Sequence, residues 1–331
     1  MKFNACSGFL LLFAQAVAAQ PFQLPTANRA IFEPGGQERY FVPTPGKTWV
    51  SGTFGCVRSD GTQMHEGLDI KCLQRDRRGE PTDPVMATAD GTVVYMSDTP
   101  GLSNYGRYIV VRHSIDGLEV YSLYAHLSAF APGIKVGRPV RTGEQIAVMG
   151  HTGAGISRDR AHVHFELNLF YNDHFSIWFR RHYPTEHDDH GVWNGQNLVG
   201  MDPRLILLAE HEEGAGFSLL NWLQHRTELC RVLVRKTDFS WPHRYPMLVR
   251  QDAATGRGPI AGYEIAFDYN GLPFELIAKT SSQIKAGPRF QLLSVNEAEH
   301  DRNLCRHLVM KQGKYWQLTG NGLSLLELLT D

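Results

Sequence analysis

From residue 49 to residue 150, apolar and polar positions alternate in short runs broken by turn residues. That two-residue period is the mark of half-buried strands. It predicts strands at 49–54, 64–70, 84–87, 91–96, 107–113, 118–127 and 145–149. The turns between them are Ser59-Asp60-Gly61, Ala89-Asp90-Gly91, Ile115-Asp116-Gly117, Val136-Gly137 and Thr142-Gly143. Hairpins at this spacing build a compact antiparallel all-β domain, a sheet or sandwich. The glycine-rich run Gly150-His151-Thr152-Gly153-Ala154-Gly155 is followed by neither Lys-Ser nor Lys-Thr and opens no helix, so it reads as a flexible loop and not a phosphate cradle.

A polar and aromatic insertion at 170–199 holds His174, His182, His187 and His190. Their spacing matches no familiar ligand set, and they are expected in loops or along the wall of a groove. After Gly200-Met201-Asp202-Pro203 come an amphipathic stretch at 205–209 and a helical candidate at 217–225. Strands are then predicted at 230–234, 245–250, 263–269, 290–295, 304–310 and 314–318, with Thr255-Gly256, Asn270-Gly271 and Gln312-Gly313 as turns and an apolar tail at 323–329. The expected organisation is an irregular strap over 20–48, an all-β domain over 49–204, and a second, smaller β-rich domain of unassigned role over 205–331.

Strand parity then isolates the chemistry. Alternate side chains share a face, so His65 and Asp69 point one way while Met64, Leu68 and Ile70 point the other. Likewise His162, His164 and Glu166 alternate with Val163, Phe165 and Leu167, and His126 shares its face with Ser122 and Tyr124. Two imidazoles and a carboxylate around an open fourth position form a catalytic zinc arrangement, with His65, Asp69 and His164 as ligands of one zinc ion. His126 and His162 stand where they could move protons during amide hydrolysis. The competing arrangements are a structural zinc site, with His126 or His162 as a fourth ligand, and no metal at all, the histidines being structural or surface residues.

Composition narrows the class. The 331 residues are 42% hydrophobic with a formal net charge of −1, which argues against disorder and against nucleic acid as a partner. Met1-Lys2, the apolar run from Phe9 to Phe13 and Ala16-Val17-Ala18-Ala19 form an export signal over 1–19, the alternative being an uncleaved N-terminal anchor. A periplasmic or secreted location is therefore expected. No later stretch reaches the roughly 18 apolar residues of a membrane-spanning helix. Cys6 would leave with the signal; Cys56, Cys72, Cys230 and Cys305 remain, an even number in an oxidising compartment. We expect Cys56 to pair with Cys72 and Cys230 with Cys305, the other connectivities being open to the same sequence.

The ordered set His65-Glu66-Gly67-Leu68-Asp69-Ile70, Ala89-Asp90-Gly91-Thr92-Val93-Val94, Tyr121-Ser122-Leu123-Tyr124-Ala125-His126-Leu127, Val136-Gly137, Thr142-Gly143 and His162-Val163-His164-Phe165-Glu166-Leu167 resembles the lysostaphin and LytM type of zinc endopeptidase. The resemblance covers about Gly52 to Pro203. It implies a compact antiparallel β fold whose groove holds an extended peptide, zinc on His65, Asp69 and His164, catalytic assistance from His126 and His162, and peptidoglycan cross-links or stem peptides as substrate. None of these five positions is substituted, unlike in the metal-free relatives that only activate other wall hydrolases. Arg158-Asp159-Arg160-Ala161 replaces the small residue and proline common before the His-x-His pair, so the groove wall differs there. The competing functions are a secreted endopeptidase for glycine-rich proteins and a non-catalytic wall-binding or activator module; an activator or inhibitor partner is left unassigned.

Overall fold

The computed structural model describes residues 21–251 and 258–331. The export signal, Cys6 and the Thr255-Gly256 turn lie outside the described residues. Strands β1 (Gly55–Arg58) and β2 (Gln63–His65) form a hairpin, followed by β3 (Leu68–Lys71), β4 (Pro84–Met86), β5 (Gly91–Ser97), β6 (Tyr108–Ile115) and β7 (Leu118–Ala125). Next come β8 (Leu127–Phe130), β9 (Pro139–Val140), β10 (Gln145–Met149), β11 (His162–Phe170) and β12 (Leu198–Met201). The large sheet runs β12-β11-β7-β6-β5-β9, with β3 also paired to β11, and a smaller sheet runs β4-β10-β8. All of these pairings are antiparallel.

All nine residues of β11 are buried. Its apolar face, Val163, Phe165, Leu167 and Leu169, joins Val93, Val111, Tyr124, Ile146 and Met149 in the hydrophobic core. Burying a Leu or Phe side chain contributes about 1.5–3 kcal/mol, so this face fixes the register of β11 and thereby aims the histidines on the other face.

The predicted strand at 64–70 is two strands, broken at Glu66-Gly67, and the one at 118–127 is broken at His126. Residues Trp49–Gly52, predicted extended, form a 3-10 helix, and the insertion contains the helix Phe175–His182.

In the C-terminal part, β13 (Cys230–Val234), β14 (Val249–Gln251), β15 (Ile260–Phe267), β16 (Pro273–Thr280) and β17 (Phe290–Val295) form a sheet in the order β14-β16-β15-β13-β17. β16 follows the Asn270-Gly271 turn; its residues Phe274, Leu276 and Ala278 alternate into the core. It went unpredicted despite its regular period. Residues 245–248, read as strand, begin instead with a helical turn, Pro246–Leu248. A hairpin of β18 (Val309–Gln312) and β19 (Tyr315–Leu318) precedes the helix Gly320–Thr330, whose first turn is capped by the Thr319 side chain. One apolar core runs from Phe22 through the large sheet to Leu329. Among the described residues no helix is long and apolar enough to cross a membrane.

The cysteine pairing differs from the expected one. Cys56 is bonded to Cys305, with Cα atoms 5.3 Å apart, while Cys72 and Cys230 are free thiols. Cys72 lies just beyond β3, where its sulfur is 3.1 Å from Asp83 Oδ2, and burial together with that carboxylate raises its pKa to about 11. Cys230 is buried in β13, between β15 and β17, and burial raises it to about 12. Neighbourhood in sequence misled because β1 turns away from β3 to meet the C-terminal part.

His113 on β6 is buried, with Nδ1 donating to Asp90 O at 2.9 Å and Nε2 accepting from Ser122 Oγ at 2.7 Å. Burial pushes its pKa down from 6.5 to about 4. The unfolded chain would take up the proton near pH 6.5 while the folded chain refuses it until about pH 4. Stability is therefore expected to fall as pH drops through that window, by up to about 3 kcal/mol from this group. Thermal midpoints measured against pH should show a shallower slope there in His113→Gln than in the parent; equal slopes would contradict the assignment.

Candidate functional site

The register of the large sheet brings the polar residues together. On β11, His164 lies opposite Asp69 of β3 on one side and Ala125 of β7 on the other. His65, at the end of β2, comes over the same place because the chain bends at Gly67. A Cβ on Gly67 would lie 2.4 Å from Phe165 O and 3.0 Å from His164 Nε2. Only glycine lets the two segments approach so closely. Gly67→Ala is accordingly expected to displace His65 and Asp69 and to reduce any activity of the site about 100-fold, since misplacements of about 1 Å have that effect; an unchanged rate would contradict this role.

His65 Nε2, His164 Nδ1 and Asp69 Oδ1 form a triangle with edges of 3.1, 3.1 and 3.2 Å. The proton positions follow from the partners. His65 Nδ1 faces Thr53 O at 2.7 Å, and a carbonyl can only accept, so Nδ1 carries the proton and Nε2 a lone pair. His164 Nε2 donates to Glu166 Oε1 at 2.8 Å, and that carboxylate also accepts from Tyr105 OH and the Asn168 amide, each at 2.8 Å. His164 Nδ1 is thereby turned toward Asp69. Without a metal, a proton on His164 Nδ1 bridges to Asp69 Oδ1; once it leaves, three lone pairs converge on one point, which calls for positive charge at their centre.

The buried groups respond accordingly. Burial alone would raise the Asp69 pKa, but the charges of His65 and His162 and hydrogen bonds from His162 and His164 hold it well below the usual carboxylate range. Burial would depress His164, but hydrogen bonds to Asp69 and Glu166 raise it to about 10. The donor set and its edges fit a small divalent cation, because ligand atoms 2.0–2.1 Å from a tetrahedral zinc stand about 3.3–3.4 Å apart. Among the described residues these three are the one group of His, Cys, Asp or Glu close enough to hold a metal. The histidines of the 170–199 insertion do not gather: His182 pairs with Glu327, His187 with Asp189, and His190 alone lines the groove.

His126 and His162 flank the triangle. His162 Nδ1 donates to Arg160 O at 2.6 Å and Nε2 lies 3.5 Å from Asp69 Oδ1. His126 reaches the site only through its backbone. Parity would put it with Ser122 and Tyr124, on the face that Tyr124 presents to the core, but a φ of 63° at His126 swings the ring to the other side, 4.7 Å centroid to centroid from His162. This left-handed conformation, costing about 1–3 kcal/mol, is held by His126 N–H to Tyr105 O and Nδ1–H to Thr152 O, both 2.9 Å. Burial, then the charges of His162 and His164, lower the His126 pKa well below 6.5.

The groove over this cluster has a volume of about 670 Å³. Three residues that line it escaped the sequence reading: Arg58, Tyr105 and Arg306. Arg58 Nη2 is 2.5 Å from Asp69 Oδ2 and 3.0 Å from His65 Nε2. A cation in the triangle would take the His65 lone pair, leaving Arg58 on Asp69 Oδ2. Glu166, which parity places on the face of His162 and His164, orients His164; Tyr105, in an irregular segment, carries no signal.

Comparison with known proteins places this region. The model of "Peptidase family M23" matches residues 63–175. The "Murein hydrolase activator NlpD" of Escherichia coli (strain K12) is 36% identical over 125 residues, 38% of this chain and 27% of that one. The chain spans only 18–35% of the length of three of the curated relatives it matches. The catalytic domain of the antimicrobial peptidase lysostaphin from Staphylococcus simulans shares 27% identity, covering 39% of this chain and 74% of that one, at a TM-score of 0.25. The "Lipoprotein NlpD" of Yersinia enterocolitica is 35% identical over 92 residues, 28% of this chain but 84% of its own length. With nearly the whole of that relative aligned, and with the family match running from β2 to the end of β11 and beyond, this chain belongs to peptidase family M23.

Proposed function

We propose that the chain is an exported, zinc-dependent endopeptidase that hydrolyses amide bonds in the peptide part of peptidoglycan. The observation that carries this reading is the convergence of His65 Nε2, His164 Nδ1 and Asp69 Oδ1 at 3.1–3.2 Å beside an open groove. Zinc in such a site supplies Lewis acidity, lowering the proton affinity of water and drawing electron density from a carbonyl. The protein's own groups do the rest. Glu166 fixes the ring of His164, and Thr53 O fixes that of His65, so the two lone pairs stay aimed at one point. His126 and His162 each tie Nδ1–H to a carbonyl, which leaves Nε2 of each ring as the atom that takes a proton from the nucleophile and returns it to the leaving amine.

A second reading draws on the activator function printed for the Escherichia coli relative: the chain would bind murein or its hydrolases without cutting. Digestion of purified sacculi by the chain alone separates the two, with fragments and new amine termini followed by mass spectrometry. The endopeptidase reading expects new amine termini from sacculi and few from glycine-rich protein substrates in a parallel digest. Binding to sacculi with no new termini would overturn it in favour of the activator.

A further inference from the structure

The charge balance of the groove points to its substrate. Arg58, Arg160 and Arg306 line it, from β1, from the loop before β11 and from the loop after the helix Glu297–Arg302, against Glu66 and Asp69 as its acidic residues. Arg58 is matched by Asp69 at 2.5 Å. The other two are not matched. Arg160 donates to the Pro43 carbonyl at 3.1 Å and Arg306 Nε to the neutral Asn270 Oδ1 at 2.8 Å, and among the described residues neither guanidinium has a carboxylate within ion-pair distance. Both are partly buried. Arg306 feels the charge of the buried Asp268 only from beyond ion-pair distance, and a partly dehydrated guanidinium with no carboxylate in direct contact is a ready partner for one, which it meets through paired, charge-assisted hydrogen bonds.

Arg306 is held in place from two sides. Cys305, immediately before it, is bonded to Cys56, two residues before Arg58, so one covalent link ties the two arginine-bearing segments together. Asn270, which orients the Arg306 side chain, is fully buried and donates its own Nδ2 to Gly200 O on β12 at 2.8 Å. The C-terminal part thus reaches the groove through a side chain anchored to the large sheet.

We propose that Arg306, with Arg160 also lining the groove, binds free carboxylates on the substrate peptide, so that the segment 205–331 completes the substrate site. The substrate class is an acidic peptide; peptides lacking free carboxylates, glycine-only sequences among them, bind poorly. This rests on the endopeptidase reading for the identity of the groove, while the contact itself is one of binding.

The test uses the full, zinc-loaded chain and two fluorescent peptides of one sequence, one with glutamates and the other with glutamines at the same positions. Binding is read by anisotropy in the cold, and cleavage by mass spectrometry on the same samples. Arg306→Gln is expected to weaken binding of the glutamate peptide about tenfold and to leave the glutamine peptide unchanged, about what one charge-assisted hydrogen bond at a partly exposed site contributes. Arg306→Lys, which keeps the charge, should restore part of the difference, with zinc content and thermal midpoint as in the parent. The proposal is overturned if the parent binds both peptides alike, or if Arg306→Gln weakens both equally. Should Arg306→Gln fail to fold, Arg306→Lys decides by keeping or losing the preference for glutamate. Absence of cleavage in every sample would overturn the endopeptidase reading alone, because the binding comparison stands without it.

Discussion

His164→Ala is expected to abolish zinc binding and hydrolysis together. The substitution removes one of three converging side-chain atoms, and the two that remain, on β2 and β3, are too few to hold a zinc ion tightly. Loss of an outer-shell partner alone typically lowers metal affinity or activity about 10–100-fold, and loss of a ligand should exceed that. The fold should survive. Glu166 keeps the donors Tyr105 OH and Asn168 Nδ2, so the cost of its lost imidazole partner is about 1–3 kcal/mol. Metal content after dialysis, turnover and the thermal midpoint check the three parts. A variant that holds a full equivalent of zinc, or that still turns over, would contradict the assignment of His164 as a ligand.

His126→Ala should give the opposite split, with zinc retained and turnover reduced about 10²–10⁴-fold, the usual contribution of a positioned acid or base. The ring makes no hydrogen bond to the triangle, although it packs edge-on to His164 at 5.8 Å between centroids, and it stands beside His162 with Nε2 uncommitted to any carbonyl. A purely structural histidine would behave differently. Removing the left-handed residue's ring hydrogen bond would then lower the thermal midpoint without changing the pH dependence of turnover, whereas loss of a proton-transfer group removes one limb of the pH–rate profile. Unchanged turnover in a folded, zinc-loaded variant would exclude His126 from the chemistry.

Much of the site was legible because it rests on strand parity. His65 with Asp69, and His162 with His164 and Glu166, share faces through a period of two, and the apolar residues between them state which face is the core. What parity could not show is where the backbone departs from it. His126 would have faced the core in a regular strand, and only its positive φ brings it to the side of His65, Asp69 and His164. The Glu66-Gly67 break separates β2 from β3, and the charged Glu66 at a parity position otherwise held by Met64, Leu68 and Ile70 is its mark in the sequence.

The errors were long-range ones. The Cys56–Cys305 bond spans 249 residues and depends on how the β1–β2 hairpin packs on the C-terminal part, which no local pattern encodes. Arg306 and Tyr105 lie in irregular segments and reach the groove only through tertiary packing. β16 has an ordinary strand period, but it opens with a proline and carries Glu275 and Lys279 at alternate half-buried positions.

The central claim is that His65, Asp69 and His164 hold one zinc ion and that hydrolysis depends on it. Its most direct test titrates zinc into the chelator-treated chain while bound metal and new amine termini from peptidoglycan peptides are measured in the same samples. The account predicts saturation at one zinc per chain, with amine release rising in proportion to occupancy. Amine release that persists without metal, or a chain that binds zinc stoichiometrically and releases none, would contradict it.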